Sequence, residues 1–432
     1  MTEDFVRIAL LLGTGLAVFT IVFFFFRWSP KTLMVAWTVT FFFVPVWVGA
    51  QIGVFYSAIT VMTILAIAAS TVRSFQFSIV DMLLMSFSAL LVAGWLLGWI
   101  QWGHLTIALL GWMVPYVGGR LISSRIGLPW IYASLAAGTV GAACLAIAEF
   151  LTGINFFVLI KANNGVYETW HTLQYRGGLL RVEGAFGHSI ALGACLAMCS
   201  VFILVVAWPQ WLRLLSLLIV AVAVALTFSR IGLIGMALTL VVGLISLRHE
   251  VTAWFRWKVA ALLGLAAAVV VPLLLDVFTS AGSEAAGSAE YRTSIFSLLN
   301  TAAMLGIAKS WAVTADGRTY FGTFQSIDSE IVLTALRFGL LPLLLLLAAL
   351  ACCVISMLRD RATPASVAII AMIPAFATVA MITQYATLVW FLAGLAVAAY
   401  HQSPHHSLSG KPALVMPQPP AIQYREEPRW LR

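Results

Sequence analysis

Five arginines and four acid–base groups stand where chemistry on an anionic substrate would need them. Arg176 and Arg181, Arg230, and Arg292 with Arg318 each flank a long apolar segment. A guanidinium is planar, permanently charged and grips phosphate through two parallel N–H donors. Beside an apolar wall it meets little competing water, so such a group would bind a phosphate-bearing anion strongly and in a fixed geometry. An attacking hydroxyl also needs a base, and Asp328, Glu330, His188 and Glu183 are the candidates.

Each pattern has a plainer reading beside the chemical one. The run Arg181-Val182-Glu183-Gly184-Ala185-Phe186-Gly187-His188 opens an apolar segment. Its glycines let backbone approach a ligand, and the helix start offers N–H groups to an anion. A tight re-entry loop with an arginine reaching the interface fits equally. Thr227-Phe228-Ser229-Arg230 joins two apolar runs with almost no loop, making Arg230 either a phosphate clamp or an interface anchor. Ser326-Ile327-Asp328-Ser329-Glu330 enters a further run, and Arg337 follows Glu330 on the same helical face. There Asp328 and Glu330 are either catalytic carboxylates or partners of a helix N-terminal dipole, and Arg337 is an ion-pair partner.

The elements that must hold these groups are membrane helices. The chain has 432 residues, 62% of them hydrophobic and 9% charged, too few charges to clothe a water-soluble domain of this size. Apolar runs centred on 5–26, 32–50, 53–71, 78–99, 104–120, 129–151, 186–207, 212–228, 231–247, 258–278, 329–357, 365–382 and 385–400 each approach the length that crosses a core of about 30 Å. The expectation is an all-α, polytopic transmembrane bundle of 12 to 13 spans over 1–402. The start, Met1-Thr2-Glu3-Asp4, has no basic n-region and reads as a membrane segment.

Basic residues recur in every second loop: Arg27 and Lys31, Arg73, Arg120 and Arg125, Arg213, Arg248 with Arg256 and Lys258, and Arg359 with Arg361. The positive-inside rule puts those loops in the cytoplasm. The net charge of +8 is then a topology signal and not a nucleic-acid surface. Two long segments, 152–185 and 279–328, face outward. Asn163-Asn164-Gly165 marks a turn in the first, with a short interfacial helix over Tyr167–His171. In the second, Tyr291, Ile295, Leu298, Ala302 and Leu305 predict one face of an amphipathic surface helix. The tail 403–432, with six prolines, reads as disordered and cytoplasmic.

No phosphate loop, HExxH or dinucleotide fingerprint is present, and Cys144, Cys195, Cys199, Cys352 and Cys353 lack metal-ligand spacing. No cofactor, metal or nucleic acid is therefore expected.

The order of motifs resembles the O-antigen ligase and O-antigen polymerase superfamily of bacterial membrane glycosyltransferases. It runs from Arg181 before Gly184-Ala185-Phe186-Gly187-His188, through Ser229-Arg230 and Tyr291-Arg292, to Asp328-Ser329-Glu330 and Arg337-Phe338-Gly339-Leu340. The resemblance covers about 148–358. It implies a metal-independent transferase in the bacterial cytoplasmic membrane, its site facing outward. The donor would be a polyprenyl-pyrophosphate-linked glycan, and the acceptor another glycan or a lipid-anchored sugar among membrane lipids. Family pyrophosphate-binding arginines carry over to Arg181 and Arg230, with Arg292 next and Arg176 and Arg318 in support. The ligases place a histidine base in the last outer loop. No histidine occurs in 279–328, and Asp328 stands near that place, which favours a polymerase-like member.

A transporter or flippase of lipid-linked glycans is the competing class, and a non-enzymatic scaffold the third. A transporter calls for broken helices in two related halves and charges at mid-membrane depth.

Overall fold

The computed structural model describes residues 14, 17, 20–70, 76–280, 294–314 and 319–402, without the side chains of 266 and 269–280. It is mostly helical. In chain order the helices are α1 (20–28), α2 (Pro30–Phe43), α3 (Ala58–Ala69), α4 (Ile79–Leu96), α5 (Trp102–Ile122), α6 (Leu128–Thr152), α7 (Gly165–Trp170), α8 (Ser189–Val205), α9 (Gln210–Leu226) and α10 (Arg230–Ser246). Then come α11 (Ala253–Ser280), α12 (Glu330–Phe338), α13 (Leu340–Leu358), α14 (Pro364–Ala371), α15 (Ile373–Thr378) and α16 (Gln384–Gln402). Four of them, α4, α5, α6 and α13, are long and apolar enough to cross a membrane.

Helix ends in apolar surroundings need internal partners for their free N–H groups, and polar residues at the boundaries supply them. Ser78 and Asp81 form a reciprocal cap on α4, Thr363 and Ser366 do so on α14, and Ser57, Ser229 and Ser329 cap α3, α10 and α12. Proline in the first turn pre-sets the backbone of α2, α6 and α14.

The packing centre is α8, buried along almost its whole length, with Cys195 and Cys199 as packing residues. Around it lie α6, α9, α10, α14 and α16. An aromatic cluster joins the earlier helices to this core. Trp37 stacks on Phe391 at 4.0 Å and donates its indole N–H to Thr63 Oγ1 at 2.9 Å. Helices α5 and α16 pack backbone to backbone. A Cβ on Gly394 would sit 2.0 Å from the Tyr116 carbonyl oxygen, and one on Gly119 2.0 Å from that of Phe391. Small residues that let backbones touch are what such a bundle uses in place of hydrophobic contrast.

Polar contacts sort the connections into two ends. At one end Arg125 donates to the carbonyls of Arg27 and Ala69, and Arg120 pairs with Asp81 at 2.8 Å. Gln402 donates to Ser123, Arg361 to Tyr400, and Arg248 faces Asp360. These contacts link Arg27, Arg120, Arg125, Arg248 and Arg361 at one end, while Arg73 lies outside the described residues. At the other end Trp47 donates to the Ile160 carbonyl, Gln384 to that of Val44, and the Ile307 N–H to that of Trp99.

Several expectations are corrected. The described residues are mostly helical but not purely so: three two-stranded antiparallel pairs occur among them, Gly49–Ile52 with Val54–Ser57, Tyr175–Arg176 with Leu179–Leu180, and Trp311–Val313 with Thr319–Phe321. The single span drawn over 329–357 is two helices broken at Gly339, whose φ of 102° is open to glycine. The freed backbone groups there pair with 303–308: Gly306 and Ala308 donate to Phe338 and Leu336, and Leu340 and Leu341 donate to Ala303 and Met304. That pairing also explains why the predicted amphipathic helix does not reach Leu305. Its described part ends at Thr301, and Ala302 is already extended. Tyr291, the rest of 281–293, residues 315–318, the tail 403–432 and most of the first predicted span lie outside the described residues.

The α5–α16 contact gives a stability test. Gly394→Ala should lower the thermal midpoint of the detergent-solubilised chain, by a cost of about 1–3 kcal/mol from overpacking. An unchanged midpoint would mean the two backbones are not in contact.

Candidate functional site

The site is built on the turn between α9 and α10. Helix α9 ends at Leu226, and Ser229 begins the next helix by accepting from the Gly232 N–H at 3.2 Å. Two residues must reverse the chain, and Phe228 does so at φ 47°, a left-handed conformation costly for a bulky side chain. The carbonyls of Thr227 and Phe228 then have no helical partner. Arg181 Nε donates to the Thr227 oxygen at 3.0 Å, and Arg176 Nη1 to the Phe228 oxygen at 2.8 Å. Arg230, first residue of α10, is exposed at the same turn. Three expected cations, Arg176, Arg181 and Arg230, therefore meet here.

Arg181 reaches this position from a loop that is stapled from beneath. Glu149, the one charged residue of α6, accepts from the N–H groups of Glu183 (3.1 Å) and Gly184 (2.9 Å). Asn155 bridges it, donating to Glu149 Oε1 at 3.0 Å and to the Gly184 carbonyl at 3.1 Å. Gly187, at φ 64°, lies against Trp47 and Trp170, where a Cβ would be within 3.0 Å of the Trp170 backbone oxygen. The Val182 N–H donates to the Leu226 carbonyl, tying the loop to the end of α9. The expected turn and short helix at Asn164 are present: Asn164 caps α7 and also donates to the Trp47 carbonyl.

Gln174 organises the polar floor. Its Oε1 accepts from Arg181 Nη1 (3.3 Å) and Ser189 Oγ (3.2 Å), while its N–H donates to Glu183 Oε1 (3.1 Å). Arg181 Nη2 is buried and has no hydrogen-bond partner among the described residues. A buried guanidinium N–H without an acceptor costs about 1–3 kcal/mol or more, and an anionic ligand would recover it.

Burial sets the charges. Glu183 is only 1% exposed, and desolvation lifts its carboxyl to about 8, so it is mostly neutral at pH 7. Arg181 falls to about 10 through burial and then the neighbouring Arg176 charge, and remains a cation. With Glu183 protonated, that carboxyl does not neutralise Arg181. His188 is lowered to about 4 by burial and then by Arg181. Its Nδ1 accepts from the Ile190 N–H at 3.1 Å, so the neutral ring carries its proton on Nε2 and is suited to donate.

The expected carboxylates belong to a second group. Glu330 is buried; Oε2 accepts from the Met381 N–H at 2.7 Å and Oε1 from Thr334 Oγ1 at 3.3 Å. It thereby fixes the non-helical link 379–383, and Gln384, the first residue of α16, donates from its side chain to the Ala185 carbonyl beside the arginine loop at 3.4 Å. Glu330 spends its oxygens there and not on Arg337, with which it forms no ion pair among the described residues. Asp328 is exposed and accepts from Ser326 Oγ at 3.4 Å. No hydrogen bond joins Asp328 or Glu330 to Arg181 or His188. Arg292 and Arg318 lie outside the described residues.

Gln174, Glu149 and Asn155 were not singled out from the sequence. Glu149 was findable, because a lone acid near the end of a 25-residue apolar helix is expensive unless it is used. Gln174 carries no such signal.

The Glu183 shift has a measurable consequence. Between pH 6.5 and 8, above the ordinary range of His188, the folded chain keeps a Glu183 proton that the unfolded chain has lost. Stability therefore falls as pH rises through that window. Glu183→Gln should flatten the fall in thermal midpoint, whereas equal falls in variant and parent would mean that Glu183 is already ionised when folded.

Compared with family models, curated proteins and solved structures, the chain matches none.

Proposed function

We propose that this protein is a polytopic membrane glycosyltransferase of the O-antigen ligase or polymerase type. It would act on a polyprenyl-pyrophosphate-linked glycan at the outer face of a bacterial cytoplasmic membrane. The observation that carries the reading is the α9–α10 turn, where Arg176 and Arg181 are held in place and Arg181 keeps a buried N–H without an acceptor. Fixed guanidinium groups in a water-poor setting are what a leaving pyrophosphate needs.

In the proposed step an acceptor hydroxyl attacks the anomeric carbon of the donor sugar. The new glycosidic C–O bond forms as the bond to the pyrophosphate oxygen breaks. The bonding electrons leave on the pyrophosphate, where Arg181, Arg176 and Arg230 stabilise the growing charge, with Arg292 and Arg318 as further candidates. The hydroxyl proton passes to a base. Asp328 is the candidate base because it is exposed and stands at the entrance to α12, whereas Glu330 is occupied with Met381 and Thr334. Polymerase and ligase differ only in the acceptor, another lipid-linked chain or a surface anchor.

The breaks at Gly339 and 379–383 favour the second reading, a flippase or transporter of the same lipids, because discontinuous helices are typical of transporters. Sizing the glycan after deletion of the protein separates polymerase from ligase within the transferase reading. Single repeat units left on the lipid carrier point to a polymerase and full-length polymer left on the carrier to a ligase; unchanged glycan overturns both. Within the transferase reading, Arg230→Lys should lower transfer by about tenfold or more, since an ammonium cannot reproduce a two-pronged phosphate contact. Full activity would reduce Arg230 to an anchor.

A further inference from the structure

A groove of about 710 Å³ runs along α13, between α4, α14 and α16. Its walls are apolar, with Leu347, Leu350, Ile369, Ala393 and Val397 among them. Only 6% of the apolar window of α13 is buried inside the protein, so this helix offers a greasy wall with little of the chain upon it. The lining extends along α13 from Leu343 to Arg359, a rise of about 24 Å at 1.5 Å per residue. That exceeds one leaflet, about half of a 30 Å hydrocarbon core.

The ends of the groove differ in chemistry. One is closed by Glu330 and Thr334, whose oxygen atoms are paired as described above. The other opens between Arg359, Arg361, Tyr400 and His401. There Arg361 Nη1 donates to Tyr400 Oη at 2.7 Å, and its guanidinium lies 5.7 Å from the same ring, which fixes its direction. Arg359 is exposed and its guanidinium makes no hydrogen bond among the described residues. Asp360, the nearest acid in sequence, is 78% exposed and faces Arg248 at 3.5 Å instead. The mouth therefore presents two cations at the end of an apolar trough. It belongs to the end of the molecule gathered by the Arg361–Tyr400 and Gln402–Ser123 contacts, opposite the Arg181 turn.

We infer that this groove holds an anionic phospholipid, its phosphate at Arg359 and Arg361 and its acyl chains against α13. The charge calls for an anionic headgroup, and the apolar trough beginning at those charges calls for chains attached to it. The inference rests on a membrane setting and not on glycosyl transfer.

The test uses the full chain in non-ionic detergent, with retained lipid counted by native mass spectrometry. Phosphatidylglycerol and phosphatidylcholine with identical chains are the probes. Phosphatidylglycerol should be retained preferentially. The double variant Arg359→Gln with Arg361→Gln should weaken its binding about tenfold and leave phosphatidylcholine unchanged, as expected for two basic contacts to an anionic headgroup. Ala349→Trp, which fills the trough, should reduce retention of both lipids. Equal retention of the two lipids, or a preference untouched by the arginine variant, overturns the assignment. So does equal binding of soluble glycerol phosphate, which needs no groove. Tighter binding of undecaprenyl phosphate at the same arginines would give the groove to an isoprenoid lipid, and also overturns it.

Discussion

A helix that ends in apolar surroundings leaves carbonyls that must find donors, and the turn at Thr227–Phe228 resolves this with arginines. Thr227 and Phe228 are buried, and the reversal is too short for backbone to serve. Arg181 and Arg176 each supply one N–H, at 3.0 and 2.8 Å. Hydrogen bonds from a charged donor contribute on the order of 1.5–3 kcal/mol each. That sum is comparable with the cost of holding Phe228 in a left-handed conformation. The strain at Phe228 and the placing of the cations are thus one arrangement.

The other connections at this end of the molecule serve that arrangement. Glu149 and Asn155 pin the backbone at 183–184, Trp47 supports the loop from α2, and α8 begins directly beyond His188 in the densest part of the core. Glu183 is buried beside Arg181 and kept mostly neutral, so it does not take up the Arg181 charge. Such a loop can orient a guanidinium without surrendering all of its donors to the protein.

Much of this was legible in the sequence, because apolar runs, caps and basic loops obey rules that act locally. Most described helices lie within the apolar runs, and Arg27, Arg120, Arg125, Arg248 and Arg361 share one end. The convergence of Arg176, Arg181 and Arg230 was posed by their types and places but could not be derived from them, since it depends on the carbonyls of a turn distant in sequence. The break at Gly339 was hidden because the residues around it are uniformly apolar. Its cause lies in the pairing with 303–308, which no periodicity encodes. The predicted surface helix stops at Thr301 for the same reason: its 3–4 spacing through Leu305 is overridden by that pairing. Gln174 carries no charge and occupies no motif, so its bridging role appears only in three dimensions.

The most direct measurement is a ³¹P NMR titration of inorganic pyrophosphate into the full chain in detergent, repeated with Arg181→Lys. If the unpaired Arg181 N–H belongs to an anion site, the parent should bind saturably and the lysine variant about tenfold more weakly or worse, with its fold intact. Equal binding by both proteins, or none by the parent at millimolar pyrophosphate, would contradict the assignment of Arg181 to a pyrophosphate.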